Sequence, residues 1–96
     1  MAFCEKREGS QVNNVIESNG YCSVIAGGEE NYIGMNAYDS FIGGGWHNVI
    51  DASGIGSVIA GGDDHYIGMD AYDSFIGGGY RNTISNVSKR ISNRRN

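Results

Sequence analysis

Ser74-Phe75-Ile76-Gly77-Gly78-Gly79-Tyr80-Arg81-Asn82-Thr83-Ile84 decides the fold, because the chain has already stated the same pattern three times. Seventeen residues earlier stands Ser57-Val58-Ile59-Ala60-Gly61-Gly62, followed by His65 and Ile67. The same step leads back to Ser40-Phe41-Ile42-Gly43-Gly44-Gly45 with Asn48 and Ile50, and then to Ser23-Val24-Ile25-Ala26-Gly27-Gly28 with Asn31 and Ile33. The period does not slip. A constant period of this length marks a repeat architecture, in which each unit buries its apolar face only against its neighbours.

Each unit reads as strand, turn, strand, turn. Ser-x-Ile-x-Gly is a short alternating stretch rich in Val, Phe and Ile, which suits a strand. The Gly-Gly pair breaks it, since glycine and asparagine tolerate the left-handed backbone of a tight corner. Tyr32-Ile33, Val49-Ile50, Tyr66-Ile67 and Thr83-Ile84 open the second strand, and Asn36-Ala37-Tyr38-Asp39 and its counterparts return the chain. A helix is excluded by the glycine frequency and by the lack of a sustained apolar stripe. The fold expected is all-β, a parallel β-solenoid of about five 17-residue coils.

Stacked coils bring equivalent residues ~4.8 Å apart, the spacing of neighbouring strands. Ile25, Ile42, Ile59 and Ile76 then form one ladder, and Ile16, Ile33, Ile50, Ile67 and Ile84 a second. Ser23, Ser40, Ser57 and Ser74 alternate in phase with the first ladder and are expected to face inward. Asn14, Asn31, Asn48 and Asn82 make a further ladder, suited to the backbone groups at a corner. The best self-match spans two units, so two coil types alternate. Two isoleucines per coil is a thin core at ~1.5–3 kcal/mol per buried side chain, set against the cost of ordering so much glycine. The remaining apolar residues (Val24, Phe41, Val58, Phe75, Tyr32, Tyr66, Met35, Met69) fall on the opposite face, and the sequence asks for an oligomer that covers it.

Sixteen glycines and no proline in 96 residues, without glycine at every third place, exclude collagen, and the period argues against a shapeless linker. The net charge is −4. Most acids lie in the repeat body, whereas Lys89, Arg90, Arg94 and Arg95 crowd the end. An acidic body disfavours nucleic acid, which seeks a basic stripe. No apolar run reaches the ~18 residues of a membrane span, and Met1 to Arg7 lacks the apolar core of a signal peptide. The expected organisation is a degraded N-terminal cap over 1–8, the repeat domain over 9–88 and a basic tail over 89–96. Cys4 and Cys22 are one residue more than a repeat apart, so adjacent rungs allow a disulfide, with two free thiols the slightly favoured state.

At this point the residues resemble a known family. Ser-Phe-Ile-Gly-Gly-Gly-Tyr-Arg-Asn-Thr-Ile-Ser and Ser-Val-Ile-Ala-Gly-Gly look like the head repeats of trimeric autotransporter adhesins, the YadA-like head, and similar repeats occur in phage and other viral fibre proteins. The resemblance covers residues 9–85. It implies a left-handed parallel β-roll, three of which pack around a three-fold axis as a homotrimer in an adhesive or spacer head. It also implies an extracellular, cell-surface or virion-fibre location. Family repeats are usually shorter, so the unit here has a longer second turn, around Asn36 to Asp39 and Asp70 to Asp73.

Candidate chemistry is sparse. Gly43-Gly44-Gly45 and Gly77-Gly78-Gly79 lack the following helix and Lys-Ser/Thr of a phosphate loop and read as corner glycines. No metal is expected: Asp63, Asp64 and His65 are the only candidate ligands raised by the sequence, and a solvated acidic corner is the preferred reading of them. His47 has no recurring nucleophile or carboxylate partner, so no enzyme and no cofactor are expected. Tyr38, Trp46, Tyr72 and Tyr80 are candidates for a surface that contacts glycan or protein, unless they cover the roll or fill a subunit interface. The function expected is a structural or adhesive module presenting a surface to host, matrix or glycan. The alternative is a monomeric β-solenoid with an ion-binding or purely structural role. Ice binding would require a threonine array, and Thr83 is the only threonine. A hexapeptide-repeat acyltransferase would require a six-residue subperiod that this spacing does not contain.

Overall fold

A computed structural model describes residues 13–85 and the strand residues 7–8 and 92–93. Each coil contributes two strands of two residues. In chain order they are β1 (Arg7–Glu8), β2 (Val15–Ile16), β3 (Val24–Ile25), β4 (Tyr32–Ile33), β5 (Phe41–Ile42), β6 (Val49–Ile50), β7 (Val58–Ile59), β8 (Tyr66–Ile67), β9 (Phe75–Ile76), β10 (Thr83–Ile84) and β11 (Ser92–Asn93). Odd strands form one parallel sheet, in the order β1-β3-β5-β7-β9-β11, and even strands a second, in the order β10-β8-β6-β4-β2. Every pair is in register with the residue one repeat away, as Ile25 with Ile42 and Ile33 with Ile50. The result is an all-β parallel solenoid of about four turns, with no helix among the described residues.

Alternation explains why so short a strand suffices. The second residue of each described pair from β2 to β10 points inward and is buried: Ile16, Ile25, Ile33, Ile42, Ile50, Ile59, Ile67, Ile76 and Ile84, joined by Ala37 and Ala71. The amides flanking each strand bond to the next rung, as Val24 N–H to Ser40 O (3.0 Å) and Ala26 N–H to Ile42 O (3.0 Å). Buried serines finish one corner. Ser23 Oγ donates to Ala37 O (2.7 Å) and accepts from Ser40 N–H (3.0 Å), and Ser40 and Ser57 repeat the pattern. Buried asparagines finish the other. Asn31 Oδ1 accepts Asn48 N–H (2.9 Å) while its Nδ2 donates to Gly27 O and Gly45 O (both 3.1 Å). Inward-facing polar groups that would be costly unpaired are thereby bonded along the stack.

The corners require left-handed backbone, and not only at glycine. Three further positions per coil have positive φ: Glu30, His47, Asp64 and Arg81; Asn19, Asn36, Ser53 and Asp70; and Cys22, Asp39, Gly56 and Asp73. Asn and Asp bear this conformation best, whereas Glu, His, Arg, Ser and Cys hold it because the ladders on both sides fix it. Gly45 shows where glycine is obligatory. Its φ is 91°, and a Cβ there would collide with the carbonyl oxygen of Gly62 on the next rung.

The alternation of coil types also has a steric origin. A Cβ on Gly43 would collide with Ala60 O on the next rung and lie 3.3 Å from the Phe41 ring, and one on Gly77 would lie 3.3 Å from the Phe75 ring. Where the sheet presents Phe the residue two places on is glycine, and where it presents Val that residue is alanine.

Cys22 is disulfide-bonded, which corrects the preference for free thiols. Cys4, the only other cysteine in the chain, lies outside the described residues. So do Lys89, Arg90, Arg94 and Arg95 of the basic tail. Parallel pairing nonetheless extends to β1, where the N-terminal unit has lost its serine and isoleucine, and to β11.

Candidate functional site

The corner after the Gly-Gly pair carries Tyr80, the most exposed aromatic side chain among the described residues, and the exposed Trp46. Its backbone forms a third ladder, in which Glu29, Trp46, Asp63 and Tyr80 pair through parallel bridges. Glu29 N–H donates to Gly45 O (3.0 Å), Trp46 N–H to Gly62 O (3.1 Å) and Asp63 N–H to Gly79 O (3.2 Å). The next residue in each coil takes the left-handed conformation, and its amide bonds back to the preceding rung. His47 N–H reaches Glu29 O (3.0 Å), Asp64 N–H reaches Trp46 O (2.8 Å) and Arg81 N–H reaches Asp63 O (3.0 Å). Each coil therefore projects two adjacent side chains, and stacking aligns them in two columns. One reads Glu29, Trp46, Asp63, Tyr80; the other reads Glu30, His47, Asp64, Arg81.

Both columns alternate in character. Trp46 is 44% exposed and Tyr80 61%. The Trp46 and His47 rings lie with centroids 5.0 Å apart, and the Arg81 guanidinium sits 5.2 Å from the centre of the Tyr80 ring, within cation–π range. Asp64 is held from both sides, with Oδ1 2.8 Å from His47 Nδ1 and Oδ2 accepting Arg81 Nε–H at 3.3 Å. Its carboxyl is lowered from the ordinary value, chiefly by the hydrogen bond with His47, against a smaller desolvation effect and with Arg81 adding to the shift. Like charges never stand on adjacent rungs of this column, which avoids repulsion at one strand spacing.

The other aromatic positions are arranged differently. At the second turn Tyr38 is half-buried, stacked on Tyr21 with centroids 5.9 Å apart and planes 7° from parallel. Tyr72 is exposed on the same column, separated from Tyr38 by Ile55. On the outer face of the even sheet, Tyr32 donates to Glu17 (3.3 Å) and Tyr66 to Asp51 (2.5 Å). Both phenols are raised above their ordinary value. Burial is the main cause for Tyr32 and the hydrogen bond to Asp51 for Tyr66. The outer face of the odd sheet is apolar over β3, β5, β7 and β9. Val24, Phe41, Val58 and Phe75 alternate with Ala26, Gly43, Ala60 and Gly77, and Phe41 and Phe75 are 38% and 43% exposed.

The metal candidates separate. Asp63 is exposed and Asp64 is engaged with His47 and Arg81, but His65 is only 1% exposed and occupies a rung of the asparagine ladder. Its amide donates to Asn48 Oδ1 (2.9 Å), and its Nδ1 accepts Asn82 N–H (3.0 Å), which puts the imidazole proton on Nε2. That Nε2 is buried without a hydrogen-bond partner, whereas the amides of Asn31 and Asn48 each reach two glycine carbonyls. Among the described residues no group of three or more His, Cys, Asp or Glu is placed to hold a metal ion, and no helix is long and apolar enough to cross a membrane.

Sequence reasoning singled out Trp46 and Tyr80 as surface candidates and Asp63 as a candidate metal ligand, but it did not join Glu29 and Asp63 to the aromatic column. The signal was the same constant spacing, applied to Glu29 and Asp63. The contacts of His47 with Asp64 and of Asp64 with Arg81 follow from that spacing too, once the corner is known to point these residues outward. No protein-family model, curated protein or solved structure matches this chain.

Proposed function

We propose that this protein is a non-enzymatic structural module. It is a β-roll head or fibre segment that assembles as a homotrimer through the outer face of the odd sheet and presents its corners to host, matrix or glycan. The observation that carries this reading is the uninterrupted apolar relief of Val24, Phe41, Val58 and Phe75 with Ala26, Gly43, Ala60 and Gly77. An exposed apolar face of this kind marks an association surface. The occupant that fits is another copy of the same face, because large and small residues alternate at the same rung spacing on both and can interdigitate in register. Covering it also supplies the burial that two isoleucines per coil leave short. The polar groups of the interior do not compete for chemistry, since Ser23, Ser40, Ser57, Asn31 and Asn48 spend their hydrogen bonds on neighbouring rungs.

The test is the native mass in solution, by light scattering on a size-exclusion column. Three chains are expected, with a single chain from the Phe41→Asp/Phe75→Asp double variant. A single-chain mass for the unaltered protein rejects the trimeric head and leaves the monomeric solenoid.

A further inference from the structure

We infer that the ridge formed by Glu29, Trp46, Asp63 and Tyr80 binds an extended, non-anionic glycan chain lying along the solenoid axis. The inference rests on the reading of this protein as a surface-presenting module and names the ligand class of one corner. Three features of the ridge carry it. Trp46 and Tyr80 stand on one straight column two rungs apart, ~9.6 Å at the strand spacing, with backbone bridges fixing each rung. His47 and Arg81 lie beside the two rings, and both rings remain exposed. Between and beside them Asp63 and Glu29 present exposed carboxylates that accept hydrogen bonds and donate none.

An extended polysaccharide matches this order. Alternate pyranose rings of a chain whose successive units flip present the same face about once per disaccharide, and their C–H faces stack on aromatic rings. Their hydroxyls supply the donors that carboxylates take. A proline-rich helix has a similar advance per turn, about 9.3 Å, but its backbone offers carbonyl acceptors and few N–H donors, which leaves Glu29 and Asp63 without partners. The four acids Glu29, Glu30, Asp63 and Asp64 against the one full cation Arg81 also repel uronate and sulfate chains.

Trp46 is the only tryptophan in the chain, so its emission reports on the ridge directly. The experiment titrates the full chain with a soluble cello-oligosaccharide, a uronate oligosaccharide and a proline-rich peptide. Affinity electrophoresis through a neutral glucan then compares Tyr80→Ala, Trp46→Phe and, as a control on the other corner, Tyr72→Ala. A saturable emission change with the neutral oligosaccharide alone is expected. Gel retention should weaken roughly fivefold to tenfold in Tyr80→Ala, less in Trp46→Phe, which keeps a smaller aromatic face, and be kept in Tyr72→Ala. Silence of Trp46 toward the neutral chain, a response to the uronate or the peptide instead, or equal losses at Tyr72 and Tyr80 would overturn the inference. Native mass separates the two readings. Three chains with a silent Trp46 remove the glycan alone, and one chain with a responding Trp46 removes the trimer alone.

Discussion

The inside and the outside of this solenoid keep different time. The inward ladders of isoleucine at both strands and serine at one corner repeat on every described rung, as does asparagine at the other except at His65, while the buried Gly20, Ala37, Gly54 and Ala71 alternate. Outward positions repeat on every second rung: Val and Phe, Ala and Gly, Met35 and Met69 around Ala52, acid and aromatic, acid and base. Those ladders have little latitude, because stacked isoleucines must fill the same volume and the polar corners must satisfy the same carbonyls on each rung. The charged column alternates because like charges at one strand spacing repel, whereas rings can share adjacent rungs, as Tyr21 and Tyr38 do by stacking. The lesson is that the short period specifies the fold, and the doubled period records what the surface must accommodate.

Four experiments press on that contrast. The largest effect is expected at the core. Ile50→Ala should cost about 2–5 kcal/mol in urea unfolding, whereas Met69→Ala, at an exposed outward position, should stay within ~0.5 kcal/mol. Comparable losses at both would show that inside and outside are not distinct. Next come two neighbouring glycine positions. Gly45→Ala should cost about 2–3 kcal/mol through backbone strain and collision with Gly62 O, whereas a Cβ on Gly61 meets nothing within 4 Å, so Gly61→Ala should be nearly silent.

The third variant repairs the rung at which the described asparagine ladder breaks step. His65→Asn should raise stability by ~1 kcal/mol, the worth of rescuing a buried unpaired donor, because an amide there can reach the glycine carbonyls as Asn31 and Asn48 do. A loss instead would mean that the imidazole packs better than the amide bonds. The smallest effect lies outside. Tyr66 has a phenol raised above its ordinary 10.0 by its hydrogen bond to Asp51, so its contribution is complete below pH 10.0 and fades as pH rises through the higher folded value. Thermal melts across that alkaline window should fall less steeply in Tyr66→Phe, and an unchanged slope would remove the phenol–carboxylate pair from the account.

Much of this was legible beforehand because a stack converts sequence distance into spatial distance. Ser23, Ser40, Ser57 and Ser74, the asparagines and both isoleucine ladders could be placed by counting alone. His65 could be seen to replace an asparagine, but its orphaned Nε2 could not be read, because that depends on how far an imidazole reaches past an amide. The same holds for the left-handed residues. Gly28, Gly45, Gly62 and Gly79 announce their corner, whereas Glu30, His47, Arg81 and Ser53 carry no local sign of positive φ. At His47, Ser53 and Arg81 the conformation is held by amide bonds to the preceding rung, eighteen residues back, at Glu29 O, Met35 O and Asp63 O.

By itself, then, the amino-acid order determined the coil length, the all-β class, the register and the identity of the core, since each follows from a period and from which residues avoid water. Only the tertiary structure decided which corner points its aromatic residues outward, that Asp64 stands between His47 and Arg81, that Tyr38 stacks on Tyr21, and that His65 is buried. Those are matters of direction and reach, fixed when four turns of chain close on one another and the ladders choose the backbone at each corner.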